Sequence, residues 1–181
     1  MFKLALVGEL VQNERRLTAG CVPWISDGRI AGGCRLTQAN GPKRVLFLCT
    51  GNSCRSQMAE GWARHLHPGS IDACSAGTNP HGLNPLAVKA MAEANVDITS
   101  HTSKMVGDCD PETLDLVVTV CGHANETCPV FPGKTRVVHE GFDDPPRLAE
   151  NAKSEEEAMS HYRRVRDEIR AYIADRLPAT L

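Results

Sequence analysis

Four short apolar runs rich in β-branched residues, RVLFL, IDACSAG, LDLVVTV and TRVVHE, lie between Arg44 and Glu140, and helical patterns alternate with them. SQMAEGWARHL sets Met58, Trp62 and Leu66 at four-residue intervals along one face. NPLAVKAMAEAN is alanine-rich, with Pro85 near its start, where a missing amide hydrogen costs a helix nothing. From Ser154 an S-x-x-E capping box, Ser154 and Glu157, opens a helix whose apolar face is Val165, Ile169, Tyr172 and Ile173. Strands apolar on both faces and interleaved with helices predict one fold class, α/β: a single domain with a parallel sheet flanked by helices on both faces.

In such a sheet, ligands bind beyond the carboxyl ends of the strands. Cys49 directly follows RVLFL, Cys121 directly follows LDLVVTV, and Asp143 and Asp144 follow TRVVHEGF. Two cysteines and an acid, distant in sequence, therefore converge on one edge.

The loop after the first strand, CTGNSCRS, leads into a helix N-terminus, where free amides and the helix dipole attract an anion. Thr50, Gly51, Asn52, Ser53, Cys54, Arg55 and Ser56 are expected to wrap one tetrahedral oxyanion. Gly51 and Asn52 are the residues that most readily take left-handed backbone angles, as a loop curling its amides inward requires. Arg55 supplies a bidentate clamp. Cys49, in the same positive field, is the expected nucleophile, with the Ser56 hydroxyl able to donate to its sulfur. The Gly-Lys-Ser/Thr ending of a nucleotide P-loop is missing. Asp144 is the candidate acid for a leaving oxygen, although Asp-Pro is also a common turn dipeptide.

Eight cysteines stand at 21, 34, 49, 54, 74, 109, 121 and 128, with no C-x2-C pair to suggest a zinc finger or a thioredoxin motif. Cys74 reads as a small buried hydrophobe. Cys121 and Cys128 bracket GHANET, a polar stretch without apolar periodicity that reads as a flexible loop. Two thiols there suit a disulfide relay; a metal site using His123 is the rival, weakened by the spacing and the lack of a fourth ligand. No metal site and no bound cofactor are expected.

The net charge of −2 without a basic block gives no support to a nucleic-acid or membrane-surface partner, and no apolar run approaches the length of a membrane helix. The run at the N-terminus is too short for a secretory core, and Cys21 has no apolar core before it, so a cytoplasmic location is expected. Residues 1–43, rich in Gly and polar residues, read as an extension of uncertain order, and residues 44–181 as the catalytic domain.

Together CTGNSCRSQMAEGWAR, SAGTNPHGLNPLAVKAM, DLVVTVC with the later Cys128-Pro129, and GFDDP strongly resemble the thioredoxin-coupled arsenate reductases, which share the fold of low-molecular-weight protein tyrosine phosphatases. The resemblance covers residues 44 to 178. It implies a four-stranded sheet and a cytoplasmic monomer that uses arsenate as substrate and reduced thioredoxin as electron donor. It also implies a mechanism: Cys49 attacks arsenate held by the loop and Arg55, Asp144 protonates the departing oxygen, and Cys121 attacks Cys49. Arsenite leaves behind a Cys49–Cys121 disulfide, which Cys128 moves outward to Cys121–Cys128. Some members carry a potassium site built from an asparagine, a glutamate, a threonine and an aspartate. Asn52, Glu60 and Thr102 match, but Lys104 takes the aspartate's place, so its ammonium is expected to replace the ion.

A phosphatase of the same fold is the first competing function. Such enzymes usually have proline where this chain has Gln57, usually place aromatic residues after the Asp-Pro where Pro146-Arg147 stand here, and need no Cys121–Cys128 pair. A thiol-based metalloid or redox sensor is the second, but a sensor needs neither Arg55 nor Asp144.

Overall fold

A computed structural model describes residues 25–26 and 29–30 and residues 41–181 apart from 127, 128 and 132. The chain divides into two compact units, Met1–Asn40 and Gly41–Leu181. In the first, β1 (Ile25–Ser26) and β2 (Arg29–Ile30) pair antiparallel, with Ile25 opposite Ile30.

The second unit runs β3 (Lys43–Cys49), α1 (Arg55–Leu66), β4 (Ile71–Gly77), α2 (Pro85–Glu93), β5 (Leu116–Thr119), α3 (Gly122–Glu126), β6 (Arg136–His139), α4 (Pro145–Leu148), α5 (Glu155–Ala171) and α6 (Leu177–Thr180). Its four strands are all parallel, in the order β4-β3-β5-β6, flanked by helices on both faces. The first strand of the sheet is thus an inner one. The chain crosses to β4 on one side and then to β5 and β6 on the other, which opens a crevice beyond the end of β3.

Inner strands must be apolar on both faces, and Val45, Leu46, Phe47 and Leu48 are all fully buried. Each such side chain contributes about 1.5–3 kcal/mol by leaving water. Strand β6 lies at the edge and departs from the fully buried expectation, with Val137 46% exposed. The helix α1 buries Met58 and Trp62 as the spacing predicts, and packs on β3, β4 and α5. Asn84 caps α2 by accepting from the Leu86 and Ala87 amides, with Pro85 at the first position. The Ser154 hydroxyl accepts from the Glu157 amide, but the Glu157 carboxylate returns to the amide of Lys153, one residue before the expected cap.

Beyond α5 the chain widens into a π turn over Tyr172–Arg176, which ends two residues before Pro178, a residue with no amide hydrogen to continue the ladder. GHANET, expected as a loop, forms the short helix α3 over Gly122–Glu126. Cys74 is not the isolated hydrophobe expected from the sequence: it is bonded to Cys109, brought alongside by the 3-10 turn Val106–Cys109 packed on β4. Among the described residues no helix is long and apolar enough to cross a membrane.

Candidate active site

The ends of β3 and β5, the start of α1 and the segment after β6 open on one cleft of about 460 Å³. It is lined by Cys49 and its loop, Cys121, Asp144, His81, His123 and Arg147. The backbone explains this convergence. Glu140 and Phe142 donate their amides to Thr119 and Val120, which carries the chain after β6 across the end of β5 and brings Asp144 to the loop. Arg55 donates to the Phe142 carbonyl at 3.1 Å and meets the Asp144 carboxylate at 2.9 Å. The acid and the clamp expected from sequence are therefore in direct contact.

At the candidate nucleophile, the Asn52 amide donates to Cys49 Sγ at 3.2 Å, and Ser56 Oγ lies 2.9 Å from the same sulfur. The direction of that second bond follows from a chain of partners. Glu60 is 1% exposed and its carboxylate only accepts, from Arg64 at 2.6 Å and from Ser75 Oγ at 2.6 Å, with Lys104 Nζ at 3.6 Å. Having given its hydrogen to Glu60, Ser75 accepts from Asn52 Nδ2 at 2.9 Å. The other Nδ2 hydrogen goes to Ser56 Oγ at 3.0 Å, so the Ser56 hydrogen points to Cys49. Asn52 Oδ1 completes the set by accepting from Gln57 Nε2 at 3.1 Å and the Lys104 amide at 2.8 Å. A buried acid in the second turn of α1 thus orients a path that ends in the Ser56 hydroxyl on the sulfur, beside the Asn52 amide.

Asn52 has φ 44°, the left-handed conformation expected of it. Gly51 does not take the left-handed angle expected of it. The His81 ring lies over it, and an added Cβ would come within 2.1 Å of His81 Nε2. The second loop cysteine, Cys54, is 3% exposed, and burial pushes its thiol well above the usual range against the pull of Arg55. Cys49, equally buried, differs in having the Asn52 amide and the Ser56 hydroxyl on its sulfur.

Cys121, 4% exposed, emerges from β5 into the same cleft, where the Ala124 amide donates to its sulfur at 3.4 Å and Thr50 Oγ1 lies at 3.5 Å. Thr50 also lies 3.4 Å from His123 Nδ1. Cys128, the expected outer thiol, lies outside the described residues. His81 escaped the sequence reading because an isolated residue in a polar stretch carries no periodic signal, whereas His123 was weighed only as a metal ligand and Arg147 only as a residue in place of an aromatic. His101 donates from Nδ1 to Gln57 Oε1 at 3.0 Å, which holds the Gln57 amide toward Asn52. Among the described residues no three His, Cys, Asp or Glu side chains converge on a metal position.

Comparison with known proteins agrees with this geometry. Residues 44–177 match the family described as low molecular weight phosphotyrosine protein phosphatase. An arsenate reductase from Halalkalibacterium halodurans is 50% identical over 127 residues, covering 70% of this chain and 89% of that relative. A solved arsenate reductase in its oxidized state superposes with a TM-score of 0.64 at 27% identity, covering 77% of this chain and 99% of that one. A thioredoxin-dependent arsenate reductase from Corynebacterium glutamicum shares the fold at 24% identity, with a TM-score of 0.57 over 76% of this chain and 60% of that one. The chain belongs to the low molecular weight phosphotyrosine protein phosphatase family and, within it, to the arsenate reductases.

Proposed function

We propose that the protein reduces arsenate to arsenite through Cys49, Cys121 and Cys128, with reduced thioredoxin as the electron donor. The observation that carries this reading is the single cleft on which the Cys49 sulfur, the Arg55–Asp144 pair and the Cys121 sulfur all open. The loop amides and Arg55 bind the oxyanion, and Cys49 forms a bond to arsenic as Asp144 gives its proton to the departing oxygen. Cys121 then attacks the Cys49 sulfur. The Cys49–arsenic bond breaks, its electron pair stays with arsenic, and arsenite is released as the Cys49–Cys121 disulfide forms. Cys128 exchanges with Cys121, freeing Cys49, and a dithiol such as thioredoxin reduces the Cys121–Cys128 bond. Val130, two residues beyond Cys128, is 97% exposed and offers an apolar contact for that donor.

Phosphatase chemistry shares the first step, since phosphate and arsenate have the same shape and charge. The mouth of the cleft carries Pro146 and Arg147 instead of an aromatic platform, which disfavours an aryl phosphate. The test is arsenite release with thioredoxin, thioredoxin reductase and NADPH, beside an aryl phosphate control. Cys128→Ser should release about one arsenite per enzyme and stop, with Cys49 joined to Cys121 on peptide mapping. Sustained turnover by Cys128→Ser would refute the three-cysteine relay, and faster hydrolysis of the aryl phosphate than reduction of arsenate would favour a phosphatase.

A further inference from the structure

The Cys74–Cys109 bond has no part in that relay. It joins the middle of edge strand β4 to the 3-10 turn Val106–Cys109 across 35 residues of sequence. The segment it fastens is the one that supports the anion loop. Lys104 donates its amide to Asn52 Oδ1, Ser103 donates its hydroxyl to the Asn52 carbonyl, and the Lys104 carbonyl accepts from Gly77 at the end of β4. Ser75, next to Cys74, carries the hydroxyl that links Glu60 to Asn52. The pair therefore lies one residue behind the path that ends at Cys49.

The surroundings suit both redox states. The sulfurs of Cys109 and Cys74 lie 3.6 and 3.9 Å from the same Ser75 carbonyl oxygen, so as thiols they have an acceptor already in place. Access is unequal: Cys109 is 2% exposed, whereas Cys74 is half-buried. Exchange with an external reagent must therefore begin at Cys74.

We propose that Cys74 and Cys109 form a second thiol/disulfide site, distinct from the catalytic cysteines, that reacts with low-molecular-weight disulfides of the glutathione type and tightens oxyanion binding when closed. Closing begins when the Cys74 thiolate attacks the external disulfide, releasing one thiol and leaving a mixed disulfide. The Cys109 thiolate then attacks the Cys74 sulfur and releases the second external thiol. Two protein thiols are oxidised and one external disulfide is reduced to two thiols, with the protons passing to the released thiolates or to water. Opening reverses the sequence, with an external thiolate attacking Cys74 and Cys109 leaving. Closing restrains residues 101–109 against β4, so less order has to be acquired when an oxyanion draws the loop together. This inference does not depend on arsenate being the substrate.

The full chain carrying Cys121→Ser and Cys128→Ser, which silences the relay, is equilibrated in glutathione buffers of increasing oxidation. Alkylation and peptide mapping then follow the Cys74–Cys109 pair, and calorimetry measures inorganic phosphate binding in each buffer. The linked peptide should appear as the buffer becomes oxidising, and phosphate affinity should rise several-fold with it. Adding Cys109→Ser should abolish both changes, and the unsubstituted pair in two buffers carries the test should that variant fold poorly. Absence of the linked peptide in oxidising buffer, or equal phosphate affinity in the two states, would overturn the proposal. Arsenite release by the unsubstituted protein reports separately on the reductase reading.

Discussion

Replacing Lys104 by methionine keeps the length of the side chain and removes its charge. Lys104 Nζ lies 3.6 Å from Glu60 Oε2 and 3.4 Å from the Thr102 carbonyl, the position a bound cation would take between two oxygens. At an effective dielectric constant of about 20, a pair of unit charges at that distance attracts by about 5 kcal/mol. Dehydration of both groups and the partial exposure of Lys104 offset much of this, and Arg64 stays bound to the other carboxylate oxygen. The net loss should be about 1–2 kcal/mol, a fall in Tm of roughly 3–6 °C for a chain of this size. A less firmly held Glu60 carboxylate also orients Ser75 and Asn52 less well, which should slow the reaction of Cys49. Urea unfolding and arsenite release, measured in potassium and in a bulky organic cation at equal ionic strength, read both effects. The unsubstituted protein should not distinguish the cations, whereas Lys104→Asp should acquire potassium dependence by supplying a new oxygen ligand. Unchanged stability of Lys104→Met in the organic cation, or saturable potassium activation of the unsubstituted protein, would refute the reasoning.

Asp144→Asn should lower the turnover number at least about 100-fold while phosphate still binds, because the loop and Arg55 remain; unaltered turnover would remove Asp144 from acid catalysis. His101 carries a lowered pKa, chiefly because burial disfavours its charged form, with the Glu60 charge working against that shift. The unfolded chain therefore binds the proton more readily, so stability should rise with pH up to the unfolded value of about 6.5 and level off above it. His101→Gln should flatten that rise in urea midpoints taken between acid and neutral pH, and an unaltered slope would assign it to other groups. A chain starting at Pro42 should unfold cooperatively and release arsenite at the normal rate, and loss of cooperative unfolding would show that residues 1–41 pack on the rest.

The elements legible in the sequence are those whose burial is nearly complete. RVLFL and LDLVVTV are apolar throughout because both faces of an inner parallel strand are covered. The proposed anion loop was legible because its residues are contiguous: cysteine, turn residues and arginine lie within seven positions. The meeting of Cys49, Cys121 and Asp144 followed from topology alone, since parallel strands deliver whatever follows them to one edge. What escaped notice depends on contacts between segments without periodicity. Cys74 and Cys109 sit in stretches of different character, and only the turn after Met105 brings them together. Likewise, the packing of the His81 ring over Gly51 joins residues thirty positions apart and leaves no local signal. Helix α3 was missed because five residues with a single buried alanine have no apolar stripe to betray a helix.

The order of the strands also governs the sequence of events in folding. Arg44 at the start of the central strand bonds to Asp115 across 71 residues, and β3 cannot be covered on that side until β5 exists. Loop closure over such a distance makes the native pairing late, as in other folds dominated by non-local contacts. During synthesis the nucleophilic thiol leaves the ribosome long before Leu116 to Thr119 can close over its strand. A nascent chain paused in that interval presents Cys49, Cys54, Cys74 and Cys109 together, before β5 covers the other side of β3. Refolding yield should therefore depend on the reductant present before β5 docks far more than on the reductant present afterwards.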